Sequence, residues 1–298
     1  MHSPGVAIFL PMALAIVMLG LGMTLTVRDF RRVWEVPRAA IVALVLQTLV
    51  LPAICFGLIL IFDLAPPLAV GMMLLAASPG GTVANLFSHL AGGSVALNVT
   101  LTAVNSVLGV ITLPIWVNLS MAYFMGDEAN IGLQPAKTLQ VFMIVLIPAA
   151  VGMWVLQRFP GFAERARRPL RVASTIILAL VIAGALAGNH QILLDHFVSI
   201  GSASLLLSTI SLALGYWIPK LARIDHPQAI ASAFEIGIHN ATIAITVASL
   251  LDDPDIAVPP AVYGVLMYIP AGAFCYALMR RKQRMEMPRK GGAPRASL

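Results

Sequence analysis

The stretch "ASAFEIGIHNATIAI" (231–245) sets a carboxylate, an imidazole and a carboxamide inside an otherwise apolar run. A carboxylate there has to face a cavity or a cation. Glu235 and His239, at i and i+4, resemble half of a transition-metal site, but two ligands without a third His, Cys or acid hold zinc or iron poorly. No nucleophile elbow, Walker loop or Ser–Lys pair occurs in a context that would build a reaction centre, so an enzyme is not expected. A hard cation wants neutral oxygens. Asn98, Thr102 and Asn105 follow i, i+4, i+7 spacing and share one helix stripe, and Gln47 sits within another apolar run. These residues can supply such oxygens, or they can simply bond helix to helix at about 0.6 kcal/mol each.

The elements that must position them are membrane spans. Of 298 residues, 59% are hydrophobic and 11% charged, with a mean hydropathy of +0.90. Runs of about 20 apolar residues, each able to cross a bilayer, recur along the chain. The reading is an all-α integral membrane protein of about nine spans: 5–27, 39–62, 68–91, 95–123, 138–157, 172–189, 198–219, 227–251 and 261–279. With the N-terminus outside, the inner segments 28–38, 158–171, 220–226 and 280–298 hold all the Lys and Arg except Lys137. The positive-inside bias therefore puts the C-terminus in the cytoplasm. The net charge of +6 is a topology signal and does not suggest nucleic acid as a partner. The first span has no basic leader and no cleavage site, so it is expected to stay. Cys55 and Cys275 lie within spans and do not suggest a disulfide framework. Residues 1–279 form one membrane domain, and 280–298 is a basic cytosolic tail.

Twelve of the 13 acids fall in loops or at span ends, and Glu235 is the exception. It lies eight residues into its span, about 12 Å from the inner face. Its cost near the midplane is about 2.5–3.5 kcal/mol on insertion scales. A second polar centre, "AASPGGTVANLFSHL" (76–90), contains Pro79, Gly80 and Gly81, which interrupt a helix at matching depth. Backbone freed at that depth is tolerated only where it lines protein or water. The two interrupted spans enter from opposite sides, as in an inverted repeat with discontinuous helices. The half-helices after the breaks begin near Thr82–Val83 and Asn240–Ala241. Their partial positive ends point into the crossing region and suit an anionic substrate.

At these residues the chain resembles the bile acid:sodium symporter family. The segments "LGLGMTLTVRDF" (19–30), "LVLQTLVLPAICFGL" (44–58), "ASPGGTVANLFSHLAGGSVALNVTLTAVNS" (77–106) and "FEIGIHNATIAI" (234–245) look like its signature regions. The resemblance implies a core of spans 2–4 and 7–9 with the broken helices crossing, and a panel of spans 1, 5 and 6. It implies a first sodium site of Asn85, Asn98, Thr102 and Glu235, with Ala84 and Asn98 standing where the family usually has serines. A second site would use Gln47, Glu235 and the carbonyls of Ile236 and Ile238, with His239 in place of the family's glutamine. Neutral imidazole is a softer ligand than an amide oxygen, so one or two sodium ions are expected. In span 9 the family's polar pair is replaced within "VLMYIPAG", where Tyr268 is the nearest substitute.

The expected function is sodium-coupled symport of an organic anion, bile-acid-like or a small carboxylate, by alternating access. Thr82, Val83, Asn240 and Tyr268 are the expected substrate-binding positions. The alternative is a proton-coupled carrier on the same scaffold, using Glu235 and His239. The expected location is a plasma membrane, that of a bacterium in the first instance, and no obligate protein partner is evident.

Overall fold

A computed structural model describes residues 4–126, 135–188, 190–249, 251 and 253–286. Among the described residues the regular elements are all helical. Helix α1 (Pro4–Gly22) is followed by the short α2 (Val27–Arg31). Next, α3 (Pro37–Val45) runs through a π-helical turn, Leu46–Val50, into α4 (Leu51–Ile61). Then come α5 (Pro66–Ala77), α6 (Thr82–Leu90), α7 (Val95–Phe124), α8 (Pro135–Arg158) and α9 (Pro160–Gly188). The chain ends with α10 (His190–Leu221), α11 (His226–Gly237), α12 (Ala241–Ala248), α13 (Val258–Leu266) and α14 (Tyr268–Glu286).

Local chemistry sets the ends of these helices. Proline occupies the first turn of α3, α5 and α11, where its missing N–H costs nothing. Asp225 caps α11 by accepting from the Gln228 amide at 2.8 Å. Ser94 caps α7 through the Leu97 amide at 3.3 Å.

The two breaks expected from sequence are present, and they meet. Ser78 to Gly81 separates α5 from α6, and Ile238 to Asn240 separates α11 from α12. Both connections are extended, and they run antiparallel. The Gly81 amide donates to the Ile238 carbonyl at 2.8 Å, and the Asn240 amide donates to the Pro79 carbonyl at 2.9 Å. Polar backbone that would otherwise be bare in an apolar interior is thus satisfied by the opposite break.

Burial follows from this crossing. Every residue of α5 from Leu68 to Ala77, of α11 from Ala229 to Gly237, and all of α12 is buried. Helices apolar all round belong inside a bundle. Helix α10 covers α11, while α7 covers α5 and α11. Helix α1 instead packs on α8 and α9. Their approach depends on glycine: a Cβ on Gly22 would land on the Ala149 carbonyl, and one on Gly152 on the Leu19 carbonyl. Outward faces are apolar too, as with Ile111, Ile115 and Leu119 in a row on α7. Such surface is expected where lipid is the solvent.

Among the described residues, four helices are long and apolar enough to cross a membrane, or up to six if each bent pair is one span. One bent pair, Pro11–Gly22 with Val27–Trp34, turns by 76°. Some boundaries differ from the sequence reading. The segment 158–171 is not a loop, because α9 starts at Pro160 and carries its arginines on a helix. Likewise α14 continues to Glu286, so the tail begins as helix, and 287–298 lie outside the described residues.

Candidate functional site

Glu235 is fully buried in the last turn of α11 and faces the polar stripe of α7. The Asn98 amide donates to its Oε2 at 2.7 Å, and the Thr102 hydroxyl lies 2.6 Å from the same oxygen. Asn105 donates to Oε1 at 3.3 Å. The Thr102 hydroxyl is also 3.0 Å from the Asn98 carbonyl. With a single proton to give, it serves one acceptor at a time and leaves a lone pair open. Gly80, from the opposite break, closes the cage, since a Cβ there would overlap the Glu235 carboxylate. No other residue type leaves that space.

The orientation of the amides matters. A carboxylate accepts only, so Asn98 and Asn105 must turn their NH2 groups toward it. Their Oδ1 atoms are then left buried without a hydrogen-bond partner, and so is Asn85 Oδ1 on α6. Orphaned carbonyl oxygens inside a protein call for a donor or a cation. One carboxylate with neutral amide and hydroxyl oxygens is a donor set for a hard monovalent cation, and thiol or imidazole play no part in it.

A second polar group lies beside the crossing. Gln47, in the π-helical turn, donates from Nε2 to the Ser78 carbonyl at 3.0 Å, while its Oε1 is buried and unpartnered. His239 does not turn to Glu235; among the described residues no ion pair joins them. Its Nδ1 lies 3.0 Å from the Tyr263 hydroxyl, which donates to the Gly237 carbonyl at 3.2 Å. With the tyrosine proton on Gly237, the contact requires the N–H on Nδ1 and leaves the lone pair on Nε2; with it on the imidazole, the tautomer is reversed. That Nε2 is buried without a partner. The Ile238 carbonyl is taken by Gly81, and Ile236 is buried in the last turn of α11.

Beyond the crossing lies a cavity of about 510 Å³, within the range of small-molecule sites. Its inner wall includes Gly81, Val83, Asn85, Asn240, Ala241 and Tyr268. The starts of α6 and α12 therefore both face it, with Asn240 capping α12 through the Ile243 amide at 3.2 Å. The opposite wall comes from α1 and α9, including Val17, Leu21, Arg167 and Ser174. Of the expected substrate positions, Val83, Asn240 and Tyr268 line this space, and Tyr268 stacks on Phe87. Thr82 opens α6, and its side chain lies outside the described residues.

Three participants were not assigned to a site from sequence. Asn105 stood on the polar stripe, but its reach to Glu235 depends on how α7 crosses α11. In the sequence, Gly80 signals only a helix break. Tyr263 carried a usable signal, since a tyrosine in an apolar run must find a partner for its hydroxyl.

The sequence pattern of the Sodium Bile acid symporter family matches residues 11–196. The chain is similar to "Uncharacterized sodium-dependent transporter YocS" of Bacillus subtilis, at 28% identity over 86% of this chain and 78% of that one. It is also similar to the rice protein "Probable sodium/metabolite cotransporter BASS2, chloroplastic", at 27% identity over 87% of this chain and 61% of that one. The human "Ileal sodium/bile acid cotransporter" is 23% identical over 94% of this chain and 82% of its own length. These relatives are named as transporters or cotransporters, not as enzymes. The chain belongs to the sodium bile acid symporter family, whose members are multi-pass membrane proteins.

Proposed function

We propose that this protein is a secondary active transporter that couples the movement of sodium to that of an organic anion by alternating access. The observation that carries the reading is the Glu235 cage: a buried carboxylate beside two crossed breaks, with the orphaned oxygens of Asn98 and Asn105 around it. Sodium would be held by Glu235, Asn98 and Thr102, with Asn85 reaching from α6. When bound, the ion supplies the positive charge that the carboxylate otherwise lacks. Asn105 is a further oxygen donor to the same site. The names of the relatives, sodium/metabolite and sodium/bile acid cotransporters, support the same coupling ion and an organic anion as substrate.

The scaffold proposed for this chemistry has nine spans, with the N-terminus outside and the C-terminus in the cytoplasm of a bacterial plasma membrane. Spans 3 and 8 are the broken members of an inverted repeat. Spans 2–4 and 7–9 form the core, and spans 1, 5 and 6 the panel; the packing of α1 on α8 and α9 supports the panel. The cavity between them, with two half-helix N-termini on one wall, suits an anion. A second sodium would use Gln47 and the carbonyls at the end of α11. The engagement of His239 with Tyr263 supports a single strong sodium site instead. It also argues against a Glu235–His239 proton pair.

The test is uptake into proteoliposomes. Labelled taurocholate and pyruvate are supplied under an imposed sodium gradient or an imposed proton gradient. Accumulation driven by sodium and indifferent to protons is expected. Accumulation driven by protons alone would replace this reading with the proton-coupled one.

A further inference from the structure

Arg167 is the one Asp, Glu, Lys or Arg among the described residues lining the cavity. It lies on α9 with Leu170 and Ser174, at i, i+3 and i+7, so one helix face presents all three. Its Nη1 pairs with the exposed Glu164 at 3.1 Å. Its Nε, in contrast, is buried and has no hydrogen-bond partner. A guanidinium binds a carboxylate through two parallel N–H groups, and Glu164 occupies only one corner of the fork. The buried Nε–H belongs to the edge left over, on a residue that lines a space whose far wall carries two partly positive helix starts. The rest of the lining is largely apolar, with Val17 and Leu21 on the α1 side and Leu86 and Met267 elsewhere around the space.

We infer that Arg167 is the anion receptor of the cavity, pairing with the carboxylate or sulfonate of an amphipathic organic anion whose apolar body lies between α1 and the crossing. The inference rests on the transporter reading above and names the residue that selects the substrate's charge. It gives α9 a part in recognition, beyond the topological charge that its arginines carry.

The test uses purified protein in detergent and two acids, cholate and pyruvate, each beside its neutral primary amide. Affinities are measured by calorimetry in sodium for wild type, Arg167→Gln, Arg167→Lys and Glu164→Gln, and sodium affinity is measured without any anion. Wild type should bind at least one acid more tightly than its amide. Arg167→Gln should weaken that acid about tenfold or more, as expected for a lost charge-assisted bond, and remove the preference over the amide. Arg167→Lys should keep part of it. Glu164→Gln should leave binding of the acid intact, which separates an anion receptor from a residue needed only for its ion pair on α9. Sodium affinity should be the same in all four proteins.

Equal acid binding in wild type and Arg167→Gln would overturn the assignment while leaving sodium coupling standing. Failure of wild type to prefer either acid over its amide would overturn it too. Loss of sodium binding in wild type itself would instead remove the transporter reading on which it rests.

Discussion

The amide nitrogen of Asn98 stands 2.7 Å from Oε2 of Glu235, joining side chains 137 residues apart in sequence. That contact fixes which end of the asparagine is left over. With its NH2 on the carboxylate, the side-chain Oδ1 of Asn98 becomes a buried acceptor without a donor. It is this leftover valence that the proposed cation site would use.

Removing one neutral oxygen should therefore weaken the site without abolishing it. Thr102→Val keeps volume and deletes the hydroxyl that lies 2.6 Å from Glu235. Sodium affinity is expected to fall by about tenfold, the scale of one hydrogen bond. Asn105→Ala, at the longer distance of 3.3 Å, should cost less. Sodium titration of thermal stability measures both, and a larger loss in the Asn105 variant would contradict this geometry.

The tight fit of the opposite break gives a second test. Gly80→Ala would drive a methyl group into the Glu235 carboxylate. Overpacking of this kind costs about 1–3 kcal/mol, and the carboxylate should swing out of the cage. The expected result is a lower melting temperature and loss of the sodium-induced stabilisation. If the alanine variant keeps that stabilisation in full, Gly80 is not part of the cage.

His239 and Tyr263 test the number of ions. With the imidazole held by Tyr263, sodium dependence should be shallow, with a Hill coefficient near one for a single site. His239→Gln restores an amide at that position and should steepen the dependence. Tyr263→Phe leaves the imidazole without its partner while Gly237 keeps Ser208, at about 1–3 kcal/mol of stability. Transport rates against sodium concentration decide the point. A steep dependence in wild type that His239→Gln leaves unchanged would assign the histidine no role in ion stoichiometry.

At the cytoplasmic end proposed for α11, His226 predicts a pH effect. Partial burial, then Lys220 and Arg281, lower its pKa, against an opposing pull from Asp225. Its Nδ1 meets the Tyr216 hydroxyl at 3.1 Å, which suits the neutral ring. Below the unfolded pKa of about 6.5 the unfolded chain binds the proton more readily than the folded one. The contribution of the neutral ring to stability is thus present above that pH and is lost as pH falls toward the lowered folded value. Melting curves from pH 8 to 5.5 should show a smaller acid-side loss for His226→Gln than for wild type. Equal losses would remove His226 from the acid response.

Much of this site was legible because polar groups are conspicuous in an apolar chain. Glu235 stood alone among the acids, and Pro79 with Gly80–Gly81 could not continue a membrane helix. The stripe Asn98, Thr102 and Asn105 followed from helical periodicity. Contacts set by the angle between helices were not legible. Periodicity gives a face but not the neighbour it meets, so Asn105 on Glu235 and Tyr263 on His239 appear only once α7, α11 and α13 are packed. Arg167 was hidden for another reason. Its segment reads as a charged inner loop, whereas the helix beginning at Pro160 turns that residue toward the cavity.

Direct binding of radiolabelled sodium to the purified protein, compared between wild type and Glu235→Gln, tests the central claim most directly. The glutamine keeps the shape of the side chain but removes its charge, and it places a donor NH2 among donors. Saturable sodium binding is predicted for wild type, with a loss of about 10- to 100-fold in affinity, or more, for Glu235→Gln. Undiminished sodium binding in a folded Glu235→Gln protein would contradict the account.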